Sequence, residues 1–285
     1  MRNFKTDQDI VISCVIPVYN EEKNISKVLD AVTTYNRFDE ISVINDGSSD
    51  NTIRIVKLFQ DKCGNLRLIS LQPNMGKAGA VTKGIGLSTG NLIVTLDADL
   101  IGLNHDNIDS LIFPVINGEA DQTILDRAGD RTPPWGWTNF AKYFGGERAF
   151  WKKDFIEIDI PEDAGYLLEI LENLHYMNTG KTMRTIFCKN LYTIHQYSKR
   201  GWIKGTVHYI TMSSSIIKRA KVANIVKQVF WIENKSLYKL FYLFRKYPSS
   251  RPVIGPIIII FHLLDGFASF IWLNLLKMVR IFTVG

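Results

Sequence analysis

The chain has 285 residues, 46% of them apolar and 12% aromatic, which excludes disorder and supports one large domain, or one domain with an appendage. Its net charge of +6 is concentrated. Residues 217–251 carry nine basic residues against Glu233 alone, so the charge marks one segment and not the whole surface. Cys14, Cys63 and Cys188 have neither paired nor metal-ligand spacing and read as reduced thiols, two of them in or near strands. The opening MRNFKTDQDI has no signal-peptide core.

The first predicted element is the run IVISCVIPVY, a buried parallel strand ending in a turn. NEEKNISKVLDAVTTY follows with helical spacing at Ile25, Val28, Leu29 and Val32. ISVIND then reads as strand, DNTIRIVKLFQD as helix, NLRLISLQ as strand, GKAGAVTKGIGLS as helix and GNLIVTLDAD as strand. Four strands alternating with three helices in about a hundred residues predict a doubly wound, mostly parallel α/β sheet. The fourth strand is expected to run into Asp97-Ala98-Asp99, at the carboxyl edge where such sheets bind ligands. On a strand, positions i and i+2 face the same side, so both carboxylates could share one divalent cation, and oxygen-only ligation suits Mg²⁺ or Mn²⁺.

Residues 100–210 are mixed. Positions 127–146 are rich in Gly, Pro and Trp and predict a long functional loop. GYLLEILENLHYMNTG predicts an amphipathic helix closed by Gly180, and KTMRTIFCKNLYTIHQ one or two strands. The tail changes character. Residues 252–276 contain no Lys or Arg, and as a helix they would extend about 37 Å, enough for a bilayer core of about 30 Å. Pro252, Gly255, Pro256 and Gly266 interrupt that stretch, and Asp265 near its centre would cost about 2.5–3.5 kcal/mol to insert. A pair of interfacial helices is therefore favoured over a true span and over a buried core helix, because the basic aromatic segment just before it suits an anionic membrane surface.

Turn chemistry gathers behind the strands. In VINDGSSDNT, Asp46 stands at the sheet edge, and the Gly-Ser-Ser turn is expected to leave free backbone N–H groups at a helix start capped by Asp50 or Asn51. CVIPVYNEE supplies Pro17, Tyr19 and Glu21, and NMGKAGAVTKGI places Gly76 and Lys77 before a small-residue helix. Lys77 could meet a phosphate.

In this order and at these spacings, VIPVYNEEKNI, INDGSSDNT, NMGKAGAVTKGI and GNLIVTLDAD resemble the family 2 nucleotide-sugar glycosyltransferases of GT-A fold. The likeness is strong over residues 8–125 and weaker to about 210. It implies a nucleotide-sugar half at 8–125 and an acceptor half at 126–210, while residues 211–285 read, from their own composition, as basic amphipathic and apolar membrane-associated helices. By resemblance, Pro17, Tyr19, Glu21 and Asp46 line the nucleoside pocket, Gly76 and Lys77 adjoin the nucleotide, and Asp97 and Asp99 hold the metal–diphosphate. His195 matches the position of a third metal ligand. The chain departs from the family in having Asn45 where a first aspartate is usual. FGGERAFW resembles a segment that places Arg148 beside the acceptor, with Glu147 in place of a Gln. Glu169 is the first choice for a general base and Asp163 the second, although the usual Glu-Asp pair is absent at Glu169 and a solvated helix-face glutamate is an equal reading. Lys199, Arg200 and Lys204 could hold an acceptor phosphate.

The resemblance implies an inverting sugar transfer from a UDP- or GDP-sugar with Mg²⁺ or Mn²⁺; the basic cluster, the doubtful base and the apolar tail together favour a lipid acceptor (a polyprenyl phosphate or glycolipid) at the cytoplasmic face of a membrane. A small phosphorylated acceptor such as a phosphoglycerate, with the tail as a homo-oligomer interface, is the alternative. A non-catalytic nucleotide-sugar-binding module is a second. Nucleic acid is not an expected partner, because no recognised module accompanies the basic segment.

Overall fold

The computed structural model describes residues 10–127, 144–161 and 164–193. Asp163, His195, Lys199, Arg200, Lys204, most of the Gly-Pro-Trp stretch and the whole of 211–285 lie outside the described residues.

Six elements alternate at the start: β1 (Ile12–Val18), α1 (Ile25–Thr33), β2 (Glu40–Asn45), α2 (Thr52–Gln60), β3 (Leu66–Ser70) and α3 (Gly76–Leu87). They are followed by β4 (Leu92–Thr95), β5 (Leu100–Ile101), α4 (His105–Ile116), β6 (Gln122–Arg127), β7 (Arg148–Trp151) and α5 (Lys152–Phe155). A 3-10 turn at Gly165–Leu167 leads into α6 (Leu168–Thr179), then β8 (Met183–Cys188) and β9 (Tyr192–Thr193). Seven strands form one sheet in the order β3-β2-β1-β4-β7-β6-β8, and β5 pairs with β9 in a small second sheet. Only β7 runs against its neighbours in the large sheet. Strands from both expected halves, before and after residue 125, therefore share one sheet.

Alternation along the central strands builds two cores. Ile12, Cys14, Ile16 and Val18 of β1 face the layer of α1, α2 and α4, with Ile25, Leu29, Val56, Ile108 and Leu111. Val15, Ile44 and Ile93 face the opposite layer, where Ala80, Val81 and Ile85 of α3 and Leu168, Ile170 and Tyr176 of α6 pack. The expected doubly wound arrangement thus follows from a period of two on buried strands covered on both faces. Pro17 sits inside β1 without loss, because β1 pairs with β4 only from Ile12 to Val15 and the missing amide falls beyond the end of β4. The three thiols are unpaired, Cys14 and Cys188 being buried in β1 and β8.

One expectation at the sheet edge needs correction. β4 ends at Thr95, so Asp97 and Asp99 lie in the turn beyond it and not on the strand. The common facing predicted from strand geometry does not apply to them. Gly180 closes α6 as expected, in a left-handed conformation with φ of 70°.

Candidate active site

The carboxyl ends of β1 and β2 are laced together by side chains. Asn20, in a left-handed backbone conformation with φ of 54°, donates its N–H to Ser48 Oγ (3.0 Å) and accepts from the Ser49 N–H through Oδ1 (2.8 Å). The Glu22 N–H donates to Asp50 Oδ2 (3.1 Å), and Glu22 Oε2 accepts from the Asn51 N–H (3.0 Å). Asn45 Oδ1 takes the Ser48 N–H, and Asp50 Oδ1 takes the Thr52 N–H, each at 3.0 Å. Four of the amides at this turn, those of Ser48, Ser49, Asn51 and Thr52, are therefore satisfied and not free as expected, and Asp50 caps by way of Thr52 while Asn51 makes no side-chain cap. The small polar turn builds a rigid rim between two loops. Asn45, where the family usually has aspartate, serves this purpose.

Asp46 extends the lacing to a third loop. It is buried; its Oδ1 accepts from the Met75 N–H (2.6 Å), and its backbone carbonyl accepts from Asn74 Nδ2 (2.6 Å). Gly76, with φ of +72°, then opens α3 and sets Lys77 on its first turn. Pro17 is half-buried on the cleft wall, Tyr19 is exposed at the rim, and Glu21 Oε2 accepts from Asn24 Nδ2 (2.9 Å).

Lys77 is central to the site. Its Nζ lies 2.8 Å from Asp97 Oδ1, 3.1 Å from Asp97 Oδ2 and 3.2 Å from Glu169 Oε1. Burial opposes its positive charge, but the two carboxylates outweigh burial and hold the ammonium protonated well above the usual lysine range. Glu169, in the first turn of α6, is 7% exposed, so it is not a solvated helix-face glutamate. Gly146 forms the opposite wall: a Cβ there would come within 2.7 Å of Asp97 Oδ1. Thr95 Oγ1 fixes that wall by donating to the Gly146 carbonyl (2.7 Å).

Behind this pair lies a buried polar layer. Arg127 NH1, at the end of β6, is 3.0 Å from Glu147 Oε1 and 3.8 Å from Asp97 Oδ2. Glu147 has no solvent exposure, and burial pushes its carboxyl up to about 7 against the opposing pull of Arg127. Arg148, expected beside the acceptor, lines the cleft but is only 1% exposed. Its guanidinium donates to the Gly145 carbonyl (2.8 Å), Asn173 Oδ1 (2.8 Å), Gln122 Oε1 (3.2 Å) and Glu172 Oε2 (3.3 Å). Burial also raises the Glu172 carboxyl, with Arg148 opposing.

The structure thus brings Pro17, Lys77, Asp97, Arg148 and Glu169 to one cleft, with Asp46 and Gly76 framing the approach. Sequence reasoning assigned no role to Arg127, Glu147 and Glu172, which surround it. Two of them carry a sequence signal: Glu147 stands in FGGERAFW in place of a Gln, and Glu172 comes three residues after Glu169 and so lies on the same helical face. Among the described residues, no group of three or more His, Cys, Asp or Glu side chains converges to hold a metal ion.

A family model, "Glycosyl transferase family 2", matches residues 13–175, more than half of the chain. The chain belongs to glycosyl transferase family 2. This family 2 chain is 36% identical over 108 residues to a dolichyl-phosphate beta-glucosyltransferase, ALG5D, of Trichomonas vaginalis, covering 34% of this chain and 33% of that one. It is 33% identical over 122 residues to a dodecaprenyl-phosphate galacturonate synthase of Rhizobium johnstonii, covering 41% and 36%. The family 2 chain thus matches only about a third of the length of these curated relatives. Among solved structures, glucosyl-3-phosphoglycerate synthase of Mycobacterium tuberculosis with Mn²⁺, UDP and glucosyl-3-phosphoglycerate superposes with a TM-score of 0.59. Identity is 21%, over 78% of this chain and 80% of that one. S. aureus TarS 1-349 gives a TM-score of 0.54 at 15% identity, over 80% and 74%. At these identities the likeness concerns the fold alone, and the α/β, mostly parallel sheet is consistent with GT-A.

Proposed function

We propose that this chain is an inverting hexosyltransferase that moves a sugar from a UDP- or GDP-sugar to a polyprenyl phosphate at the cytoplasmic face of a membrane. The observation that carries the reading is the cleft at the sheet's carboxyl edge where Lys77 joins Asp97 and Glu169 against Gly146. An ammonium on the first turn of a helix, at the end of a parallel sheet, suits a diphosphate. The likeness to a dolichyl-phosphate glucosyltransferase and a dodecaprenyl-phosphate galacturonate synthase supports the acceptor class.

The residues present fit a divalent Mg²⁺ or Mn²⁺. Asp97 and Asp99 offer the carboxylate oxygens that such an ion takes, and Gly146 leaves space beside Asp97 Oδ1 that Lys77 Nζ now fills, since a Cβ there would lie 2.7 Å from the oxygen and 2.6 Å from the ammonium. A bound cation would neutralise charge on the leaving diphosphate; His195 is the proposed third ligand. Lys77 would neutralise the same charge as it develops. Asp46, tied to Met75, would hold the nucleoside side of the rim in place with Pro17, Tyr19 and Glu21. In the transfer, an oxygen of the acceptor forms a bond to the anomeric carbon while the bond from that carbon to the diphosphate oxygen breaks. The nucleoside diphosphate leaves with the electron pair. A phosphate acceptor has no proton to lose at neutral pH, so Glu169 can remain engaged with Lys77; a hydroxyl acceptor would need Glu169 or Asp163 to accept a proton. Lys199, Arg200 and Lys204 are proposed for the acceptor phosphate, and the tail at 211–285 for the anionic membrane surface. Among the described residues no helix is long and apolar enough to cross a membrane; the apolar stretch 252–276 lies outside them.

The test supplies labelled UDP- and GDP-sugars, Mn²⁺ and either polyprenyl phosphate or phosphoglycerate to wild type and Glu169→Gln, followed by organic–aqueous partition. Label in the organic phase is expected, with Glu169→Gln retaining transfer within about tenfold, whereas loss of a true general base would cost about 10²–10⁴-fold. Label confined to an aqueous phosphoglycerate product would replace the lipid reading with the soluble-acceptor one.

A further inference from the structure

Lys77 occupies both oxygens of Asp97, at 2.8 and 3.1 Å, and also reaches Glu169 at 3.2 Å. The wall leaves it little room, since a Cβ on Gly146 would lie 2.6 Å from Nζ and 2.7 Å from Asp97 Oδ1. The neighbouring cation stands further off: Arg127 NH1 is 3.8 Å from Asp97 Oδ2 and is held by Glu147 at 3.0 Å. One ammonium therefore fills the position that a divalent ion on Asp97 would need.

We infer that Lys77 is a placeholder cation that keeps a divalent metal off Asp97 until a nucleoside diphosphate arrives to take the ammonium. The inference rests on the reading that Asp97 holds the metal–diphosphate. Two cations in contact with one partly buried carboxylate repel strongly where water screens them poorly. An arriving diphosphate removes the conflict, because its oxygens offer Lys77 charge-assisted hydrogen bonds in exchange for those to Asp97. Glu169 supplies a pivot: the ammonium can leave Asp97 while keeping its contact with α6, so only a short shift is needed. Metal and nucleotide then bind with positive coupling, and the coupling is reciprocal by linkage. The free protein is left without a loosely held ion, and the metal enters with the donor.

Mn²⁺ binding to the purified full chain, read by electron paramagnetic resonance of the free ion with and without UDP or GDP, tests this directly. Lys77→Met should bind Mn²⁺ alone about tenfold or more tighter than wild type, the scale on which a neighbouring charge shifts a carboxylate's affinity for a cation. The same variant should lose most of the enhancement by nucleotide. Lys77→Arg, which keeps a cation there, should behave like wild type, and the gain should vanish when Asp97→Ala is added to Lys77→Met. Lys77→Gln carries the test if the Met variant fails to fold, with thermal unfolding as the check. If wild type binds Mn²⁺–nucleotide through Asp97 but neither uncharged variant gains affinity for Mn²⁺ alone, the placeholder is wrong and the metal-site reading stands. If Asp97→Ala leaves Mn²⁺–nucleotide binding unchanged, both fall.

Discussion

Glu147 shows how a single residue can carry charge chemistry hidden from the surface. It follows Gly146 at the cleft wall, has no solvent exposure, pairs with Arg127 through Oε1 and leaves Oε2 without a hydrogen-bond partner among the described residues. Burial raises its carboxyl from about 4.5 to about 7, against the pull of Arg127. Between those two values the folded protein holds a proton that the unfolded chain has released, so stability falls as pH rises through roughly 4.5 to 7. Glu147→Gln lacks this titration. Chemical denaturation of both proteins at pH 5 and pH 8 should show the difference in unfolding free energy moving in favour of the Gln variant at the higher pH. A difference independent of pH would mean that Arg127 keeps the carboxylate ionised throughout.

At the scale of elements, the cleft depends on how closely α3 lies on the sheet, since α3 carries Lys77. Gly84 sets that distance: a Cβ there would fall 2.6 Å from Val15 Cγ1 and 2.8 Å from Ile44 Cγ1, both on sheet residues in the second core. The usual gain from replacing a helical glycine is outweighed by overpacking, so Gly84→Val should destabilise the protein by about 1–3 kcal/mol in denaturant titrations. It should also weaken nucleotide binding through displacement of Lys77. The alternation of strands and helices, and the ends of α6 to within three residues and of α1 to within five, were legible from periodicity, because those segments bury one face and leave the other wet. The antiparallel β7 and the short β5 were not, being four and two residues long and specified by pairing with distant segments. β4 stopping at Thr95 was equally hidden, since its end is set by where its neighbours stop pairing.

For the whole molecule, the line between legible and hidden follows the sheet's carboxyl edge. Lys77, Asp97 and Asp46 could be named from sequence because each follows a recognisable strand or opens a recognisable helix. Arg127 could not, and Glu147 and Glu172 only as positions without a role, because their importance comes from convergence across β6, β7 and α6, which local pattern does not encode. Arg148 was legible as a residue but not in its surroundings: burial among Gln122, Glu172 and Asn173 makes it a support for α6 and the cleft floor. Around the cleft two arginines and a lysine meet four carboxylates (Asp97, Glu147, Glu169, Glu172), and burial pushes two of these, Glu147 and Glu172, toward their protonated forms.

The most direct measurement is the sugar-transfer rate of purified Asp97→Ala against wild type, with thermal unfolding followed in parallel. A fall of about a hundredfold or more at an unchanged unfolding temperature is the predicted result, since a group acting on the leaving diphosphate is lost while the fold is kept. Transfer within a few-fold of wild type would contradict the account, because it would place the chemistry away from the Lys77–Asp97–Glu169 cleft.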